Sequence, residues 1–438
     1  MRLTAMILTI ILSCLTLASA NSDSTIKSNI LTSTTETMED YFFFQPGVMT
    51  IQRNFDSYYK TNQTHLNGGG SYAHDFIVNG LSFRNPLTGD MMATFTPQLF
   101  KSIDIYDSYL PVSYGNATSG IITLETPNPG EKYRTEFQLL SDNFVGNSFD
   151  QNQYRGILSG KILSKDVITY WGAFERRYLG DRAPSSFTDN ILEGSPNILP
   201  HNSHDGWTYH GKILFNLGES TGLRATFDGA NDEWQQYRHY YNNPYFNDQL
   251  EHTPRFKDEN YGLNTVLEHS FSNETSAKFS VGYFKSERIM GDGILFDGLA
   301  GYHRTYPNPE FDVYSLFKEG DTTTAGYYVS YYDHYLHHIS SYMQYGASLE
   351  KELIEYNVIN IGGQYKKYTL RYYNNTYPSN PSSLPDYNPF YVTHFGFNNG
   401  GEVSDSEDWK HSTKHPTELS IYISDHHQAE YFTFDFGL

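Results

Sequence analysis

Few side chains in this sequence stand where a reaction would need them. No Gly-x-Ser-x-Gly elbow, His-Glu-x-x-His pair, phosphate-binding loop or dinucleotide fingerprint occurs. Nucleophilic, zinc-peptidase, NTPase and hydride-transfer chemistries therefore lack their carriers, and the chain reads as a non-enzyme without a cofactor. The densest group of potential metal ligands is Asp333, His334, His337 and His338. On a strand His334 and His338 share one face and His337 takes the other, which argues against one shared ion. His426-His427 reads as a short turn between strands. Gly291-Asp292-Gly293 and Asp297-Gly298 have the composition of a calcium loop without its ligand spacing, and read as solvated turns. What remains is binding chemistry. Trp234 to Phe246 (WQQYRHYYNNPYF), with Trp234, Tyr237, Tyr240 and Tyr241, and the segment Tyr372 to Tyr391 join aromatic faces to amide groups. Such surfaces suit sugars, peptides or chelates, and the same rings would equally suit an interfacial girdle.

The elements that would carry these residues are strands in an exported chain. Arg2, the apolar stretch Met6 to Leu17 and the small-x-small site Ala18-Ser19-Ala20 read as a signal peptide over residues 1–20, too short in its apolar part to span a bilayer as a helix. Cys14 is the only cysteine and falls within it, so the mature chain is expected to hold no disulfide or thiolate site. Aromatics make up 16% of the 438 residues while the whole apolar fraction is 38%. That is the balance of a chain whose strands are greasy on one face only, as in a membrane β-barrel with aromatic girdles and a polar lumen. The net charge of −20 leaves no basic stripe for nucleic acid.

From Tyr133 onward the pattern has period two. Tyr133, Thr135, Phe137 and Leu139 alternate with Arg134, Glu136 and Gln138; Leu223, Ala225 and Phe227 with Arg224, Thr226 and Asp228; Ile359, Ile361 and Tyr365 with Asn360, Gly362 and Gln364. Leu419, Ile421 and Ile423 alternate with Ser420, Tyr422 and Ser424, and Phe432, Phe434, Phe436 and Leu438 with Thr433 and Asp435. One set is expected on lipid and the other in the lumen.

Ahead of this region the chain is punctuated differently. Residues 21–37 are a Ser/Thr/Asn-rich linker, Met38-Glu39-Asp40 reads as a short helix, and Tyr41 to Val48 (YFFFQPGV) forms an aromatic entry with a Pro-Gly turn that a buried strand would explain equally well. Gly68-Gly69-Gly70 follows His65-Leu66-Asn67. Ile77-Val78-Asn79-Gly80 carries the strongest two-residue hairpin signal, because both central residues of that turn need positive φ. Phe100 to Tyr106 alternates as a strand, and leads into Leu110-Pro111-Val112-Ser113-Tyr114-Gly115 and Ser119-Gly120-Ile121-Ile122-Thr123. Gly115 and Gly120 are expected where a side chain would meet neighbouring backbone. In this order the pieces resemble the plug domain of TonB-dependent outer-membrane receptors. Two positions depart from that pattern: Asn67 stands where the family has an arginine and Asn79 where it has an aspartate, which puts the plug's internal salt bridges in question.

The resemblance implies a mostly β protein. An N-terminal α+β plug over residues 38–130 is followed by a transmembrane antiparallel β-barrel over residues 131–438, in the outer membrane of a Gram-negative-type bacterium. It further implies energised uptake of a scarce ligand, such as a siderophore, cobalamin, oligosaccharide or peptide. The partners would be outer-membrane lipid and a TonB-type energy-transducing protein, whose contact box is best sought in Thr32 to Thr37. The gating set would be Gly68, Gly69, Gly70, Asn79, Gly80, Tyr114, Gly115, Ser119 and Gly120. At about 9–11 residues per strand plus long outer loops, residues 133–438 hold about eleven strands, against about 22 in plugged transporters. The chain is therefore expected to be a truncated form with half a barrel. A passive outer-membrane pore and a soluble β-rich binding module are the alternatives.

Overall fold

The computed structural model describes residues 37–437 except 53–61, 71, 108–109, 131, 145–148, 163–166, 182–197, 238–246, 297–298, 300–301, 303–331, 355–356, 377, 379–391 and 429–432. The signal peptide, the linker up to residue 36, Tyr240, Tyr241 and Asp297-Gly298 lie outside the described residues.

The N-terminal part opens with helix α1 (Met38–Phe43), started by a reciprocal capping box between Thr37 and Asp40. The expected short helix is present, and it extends into Tyr41 to Phe43, where a buried strand is one of two readings the sequence allows. Tyr41 and Phe42 are buried on its inner face, whereas Phe43 and Phe44 are exposed, a helical rather than an alternating pattern. After a turn with Gly47 at φ +74, β1 (Val48–Gln52) pairs with β2 (Asn62–Leu66) as an isolated antiparallel ribbon.

A second sheet follows, in the order β4-β3-β6-β5, from β3 (His74–Val78), β4 (Leu81–Ser82), β5 (Ser102–Tyr106) and β6 (Gly120–Glu125). β3 and β6 run parallel, with His74 beside Gly120 and Val78 beside Leu124. Every residue of β3 is buried, as expected of a central strand covered on both faces. The Asn79-Gly80 hairpin is as read: Val78 pairs with Leu81, and the two turn residues have φ of +48 and +85. Asn67-Gly68 repeats that conformation at +48 and +72, and the Asn67 side-chain amide donates to the Asp107 carbonyl.

The remaining strands form one antiparallel sheet: β7 (Arg134–Ser141), β8 (Gln151–Lys161), β9 (Ile168–Leu179), β10 (His204–Asn216), β11 (Thr221–Gln235), β12 (Pro254–Ser272), β13 (Thr275–Asp292), β14 (Tyr335–Ile354), β15 (Asn357–Asn375), β16 (Val392–Phe395), β17 (Thr417–Gln428) and β18 (Thr433–Gly437). β16 and β17 lie end to end beside β15, so these twelve strands make eleven rows, with β7 and β18 at the two edges. Connections at one rim are short (217–220, 273–274, 355–356), and those at the other are long (180–203, 236–253, 293–334, 376–416), the asymmetry of outer-membrane barrels.

Polarity is reversed relative to a soluble protein. Phe137, Leu158, Ile213, Phe227, Leu263, Phe279, Val281, Leu349, Ile361, Leu419 and Ile421 point outward and are exposed, while Arg155, Glu175, Arg177, Lys212, Asp228, Asn264 and Arg288 point inward and are buried. β12 to β15 run 18 to 20 residues, roughly twice what a membrane strand needs. Their outward apolar residues sit toward the short-turn rim. Toward the long-loop rim the outer face carries ion pairs instead, Lys257 with Glu259 and Lys285 with Glu287. A bilayer would cover the first zone and leave the second in water.

Candidate functional site

The site is the interface between the N-terminal sheet and the inner face of the large sheet. An apolar cluster seats it: Phe83 meets Phe284 of β13 edge to face at 5.0 Å, and Leu81, Phe83 and Phe95 share a core with Ala230 of β11, Phe284 and Tyr342 of β14. Gly262 of β12 and Gly282 of β13 make room, since a Cβ on either would lie 2.6 Å from a methyl of Leu81.

Around that seat the contacts are polar. Asn79 is fully buried. Its amide donates to both carboxylate oxygens of Asp228 at 2.9 Å, its side-chain oxygen accepts from the Thr126 N–H at 3.1 Å and hydroxyl at 2.9 Å, and its carbonyl accepts from Asn264 at 3.0 Å. His210 places Nδ1 2.7 Å from Asp228. An amide at position 79 thus suits this wall: a carboxylate there would face Asp228, whereas the amide pairs with it. Its hydrogen bonds bridge the two sheets.

A second contact centres on Glu175 of β9, buried between Arg155 of β8 at 2.7 Å and Arg177 at 2.7 Å. The loop Thr94 to Gln98 docks on it. The Thr96 hydroxyl donates to Glu175, Arg177 donates to the Thr94 carbonyl at 3.1 Å, and Arg155 donates to Gln98. A third holds the way out of the N-terminal part: Lys212 Nζ donates to the Thr126 carbonyl at 2.7 Å. Asn85 donates to Ser286 at 3.0 Å, and Tyr342 donates to the Ser82 carbonyl at 2.5 Å. Asn116, at φ +67, reaches Glu418 at 3.2 Å.

Within the N-terminal sheet, burial sets the protonation of two neighbours. His74 is pushed down to about 4 by desolvation, with the Arg84 charge adding to it. Burial raises Asp75, opposed by Arg84 and Lys366, and its carboxylate oxygen accepts from Ser82 at 2.7 Å and from the Phe76 N–H at 2.8 Å. Burial likewise pushes the Tyr114 phenol up to about 12.

The sequence-derived glycines divide. A Cβ on Gly69 would lie 2.4 Å from Ser119 Cβ, and one on Gly120 would lie 2.4 Å from Leu66 Cδ2 and 3.0 Å from the Tyr106 carbonyl. These two close approaches bring Gly69, Ser119 and Gly120 together. Gly115 departs from expectation, because its nearest neighbour would be Ser420 Cβ at 3.7 Å, an ordinary contact. Gly70 approaches only the ring of Tyr72, and Gly68 faces open space.

The other candidates scatter. His334 bonds Asn374 at 2.7 Å, His337 bonds Glu287 at 2.8 Å, and His338 is buried beside Arg288, so the three do not converge. Among the described residues no group of metal-ligating side chains does. His426 and His427 lie within β17, not in a turn, opposite Asp435 and Phe434; pairing with β18 extends the strand through them. Asp292 is no solvated turn residue. It is buried and accepts from His252 at 2.8 Å and from the N–H groups of Ile294, Leu295 and Tyr332. Trp234 belongs to β11 rather than a loop. It is buried, stacks on Phe256 at 5.0 Å and lies under the Arg288 guanidinium at 5.5 Å. Tyr237 follows it at the long-loop rim, its N–H bonded to Asn202.

Asp228, Glu175, Arg155, Arg177 and Lys212 were missed as interface residues. Their signal was available: each is charged, mid-strand, at the parity opposite to the apolar set.

This architecture, an α+β unit seated on the polar face of a membrane-type antiparallel sheet, is the fold of the TonB-dependent outer-membrane receptors. The chain is similar to the FrpB iron transporter from Neisseria meningitidis, at 13% identity and a TM-score of 0.61 over 94% of this chain and 57% of that one. It is also similar to the ferripyoverdine receptor of the outer membrane of Pseudomonas aeruginosa (11%, 0.57, 92% and 49%) and to the outer membrane transporter YddB from Escherichia coli (11%, 0.53, 92% and 53%). It spans about half the length of the solved structures it matches. No protein-family model and no curated protein matches the sequence.

Proposed function

We propose that the chain acts in the outer membrane as a receptor for energised uptake of a scarce small ligand, with residues 38–130 as the plug and residues 131–438 as wall. The observation that carries this reading is the polar lattice of Asn79, Thr96 and Thr126 against Asp228, Glu175 and Lys212. A plug held across a lumen in this way occludes it at rest, and its release would break hydrogen bonds worth about 0.5–3 kcal/mol net each together with the limited apolar contact of Leu81, Phe83 and Phe95 with Phe284 and Tyr342. A passive pore would have no use for it. The exposed apolar zone of β10 to β17 speaks against a water-soluble module.

The long-loop rim, where Tyr237 follows β11, would meet the ligand first, with Tyr240 and Tyr241 of the same segment as further candidates, and a TonB-type protein would engage the segment before Thr37. The similar structures include an iron transporter and a ferripyoverdine receptor, so ferric chelates head the panel to test, followed by cobalamin, oligosaccharides and peptides. Cells making the full chain should accumulate one labelled member of the panel, and lose that accumulation when residues 21–37 are deleted or the proton gradient is collapsed. Accumulation indifferent to both would overturn the reading in favour of a passive pore.

A further inference from the structure

Between the plug and the wall formed by β14, β15 and β17 lies a cavity of about 970 Å³, lined among others by Tyr72, Arg84 and Asn116 on one side and Tyr342, Lys366 and Glu418 on the other. That is the size range of small-molecule sites. Its charge differs from that of the chain as a whole, which is strongly acidic. Lys366 is 7% exposed, and among the described residues no hydrogen bond or ion pair reaches its ammonium, which lies 5.4 Å from the Tyr342 ring centroid. Arg84 donates through one nitrogen to two backbone carbonyls, of Tyr72 at 3.1 Å and His74 at 3.3 Å. The carboxylate that shares the cavity is already engaged: Glu418 accepts from Tyr368 at 2.8 Å and from Asn116 at 3.2 Å. Asp75 is buried nearby; desolvation raises its carboxyl, and the charges of Arg84 and Lys366 act against that rise without a direct ion pair to either.

A buried cation without a partner is costly, and a desolvated ion pair of good geometry repays that cost. The ammonium offers three donors and the guanidinium a planar fork, both matched to carboxylate oxygens. We propose that this cavity is an anion-binding site for a carboxylate-bearing small molecule, held by Lys366 and Arg84 on its way past the plug. The binding chemistry stands on these residues alone, and its place in transport rests on the uptake reading above.

The test uses the full chain purified in detergent, titrated calorimetrically with citrate at fixed ionic strength and with glycerol as the uncharged control. Wild type should bind citrate and not glycerol. Lys366→Met and Arg84→Gln should each weaken citrate binding about tenfold or more, the size of a lost charged hydrogen bond, while Lys366→Arg, which keeps the charge, should retain it. Melting midpoints taken in parallel confirm that each variant is folded. Absence of citrate binding by wild type, or equal binding by a folded Lys366→Met, overturns the site. If citrate binding follows the expected pattern but cells show no energised accumulation, the uptake reading falls and the anion site stands. If accumulation is energised but folded Lys366→Met matches wild type in both assays, the site falls and the uptake reading stands.

Discussion

Replacing Asn79 by aspartate would change one atom type at the centre of the plug and wall interface. The side chain keeps its shape, and the oxygen that accepts from Thr126 is preserved. The other terminal atom turns from a donor into an acceptor, 2.9 Å from both oxygens of Asp228, with no exposure to solvent. Two carboxylates at that separation cannot both be charged, so the introduced carboxyl must take up a proton. Holding a proton at pH 7, against an ordinary value near 4, costs about 4 kcal/mol at roughly 1.36 kcal/mol per unit. The proton then supplies an O–H toward Asp228, so the loss of the amide donor, about 1.5–3 kcal/mol by itself, overlaps with this figure. The expected destabilisation is about 4 kcal/mol at pH 7, falling to about 1–2 kcal/mol at pH 5 as protonation becomes cheaper. Asn79→Leu removes the bonds without creating a titrating group, and should be destabilised to the same extent at both values. Hydrogen exchange of the amides from Phe76 to Ser82, followed by mass spectrometry on the detergent-purified chain at pH 7 and pH 5, reads this directly. Protection in Asn79→Asp that matches wild type at pH 7, or a loss that is the same at both values, would refute the assigned pairing.

Three further outcomes follow from the same geometry. Gly80→Val should destabilise the plug by about 1–3 kcal/mol, because φ is +85 there and β-branched residues are poor fits at positive φ; Gly115→Ala should stay within about 0.5 kcal/mol, its Cβ meeting only Ser420 at 3.7 Å, and denaturant melts of the two variants compare them. Glu175→Gln should cost about 3–5 kcal/mol by stranding Arg155 and Arg177 without their carboxylate, seen as faster hydrogen exchange over residues 94–98. His74 sits at about 4 in the folded chain against 6.5 when exposed. The unfolded chain therefore binds the extra proton between those values, and the His74 contribution is intact above about pH 6.5 and lost as pH falls toward 4. Relative to His74→Phe, wild type should lose about 3 kcal/mol across that window; Asp75, which burial shifts upward and which acts in the opposite sense, is common to both chains and cancels. Parallel slopes in pH-dependent melts would contradict the burial of this ring.

Local signals in the sequence carried the fold further than the site. Asn79-Gly80 specified its hairpin because only a few residue types tolerate both positive φ values, and period two sorted Phe227 from Asp228 because one face meets lipid and the other does not. Partners were not legible, since Asn79 meets Asp228 across 149 positions and nothing local to either predicts the other. Where reasoning failed, a neighbour had overridden local character. YFFF is compatible with a buried strand until the Thr37 and Asp40 capping box starts a helix three residues earlier. Asp292 reads as a turn in water until the N–H groups of Ile294, Leu295 and Tyr332 fold over its carboxylate. Trp234 reads as loop because its segment is rich in tyrosine and asparagine, yet the β11 pairing with β12 continues through it to Gln235.

The lattice also constrains how a pull on the N-terminal segment would propagate. The first elements after Thr37 are α1 and the β1-β2 ribbon, which forms no ladder with the four-stranded sheet. They are tied to it by Asn67 with the Asp107 carbonyl, by the packing of Gly120 on Leu66, and by the apolar contact of Phe42 with Phe76 at 6.0 Å. None of the bonds to Asp228, Glu175 or Lys212 starts from these elements. Load applied ahead of Thr37 would therefore meet the ribbon first, and the four-stranded sheet, with Asn79 and Thr126 still bonded to the wall, only after the ribbon had parted from it. The ordering matters for occlusion. On the uptake reading, a plug that gave way at Asn79 first would open the lumen in one step, whereas one that shed α1, β1 and β2 first would keep its bonds to β9, β10 and β11, and with them the rest of the plug, in place.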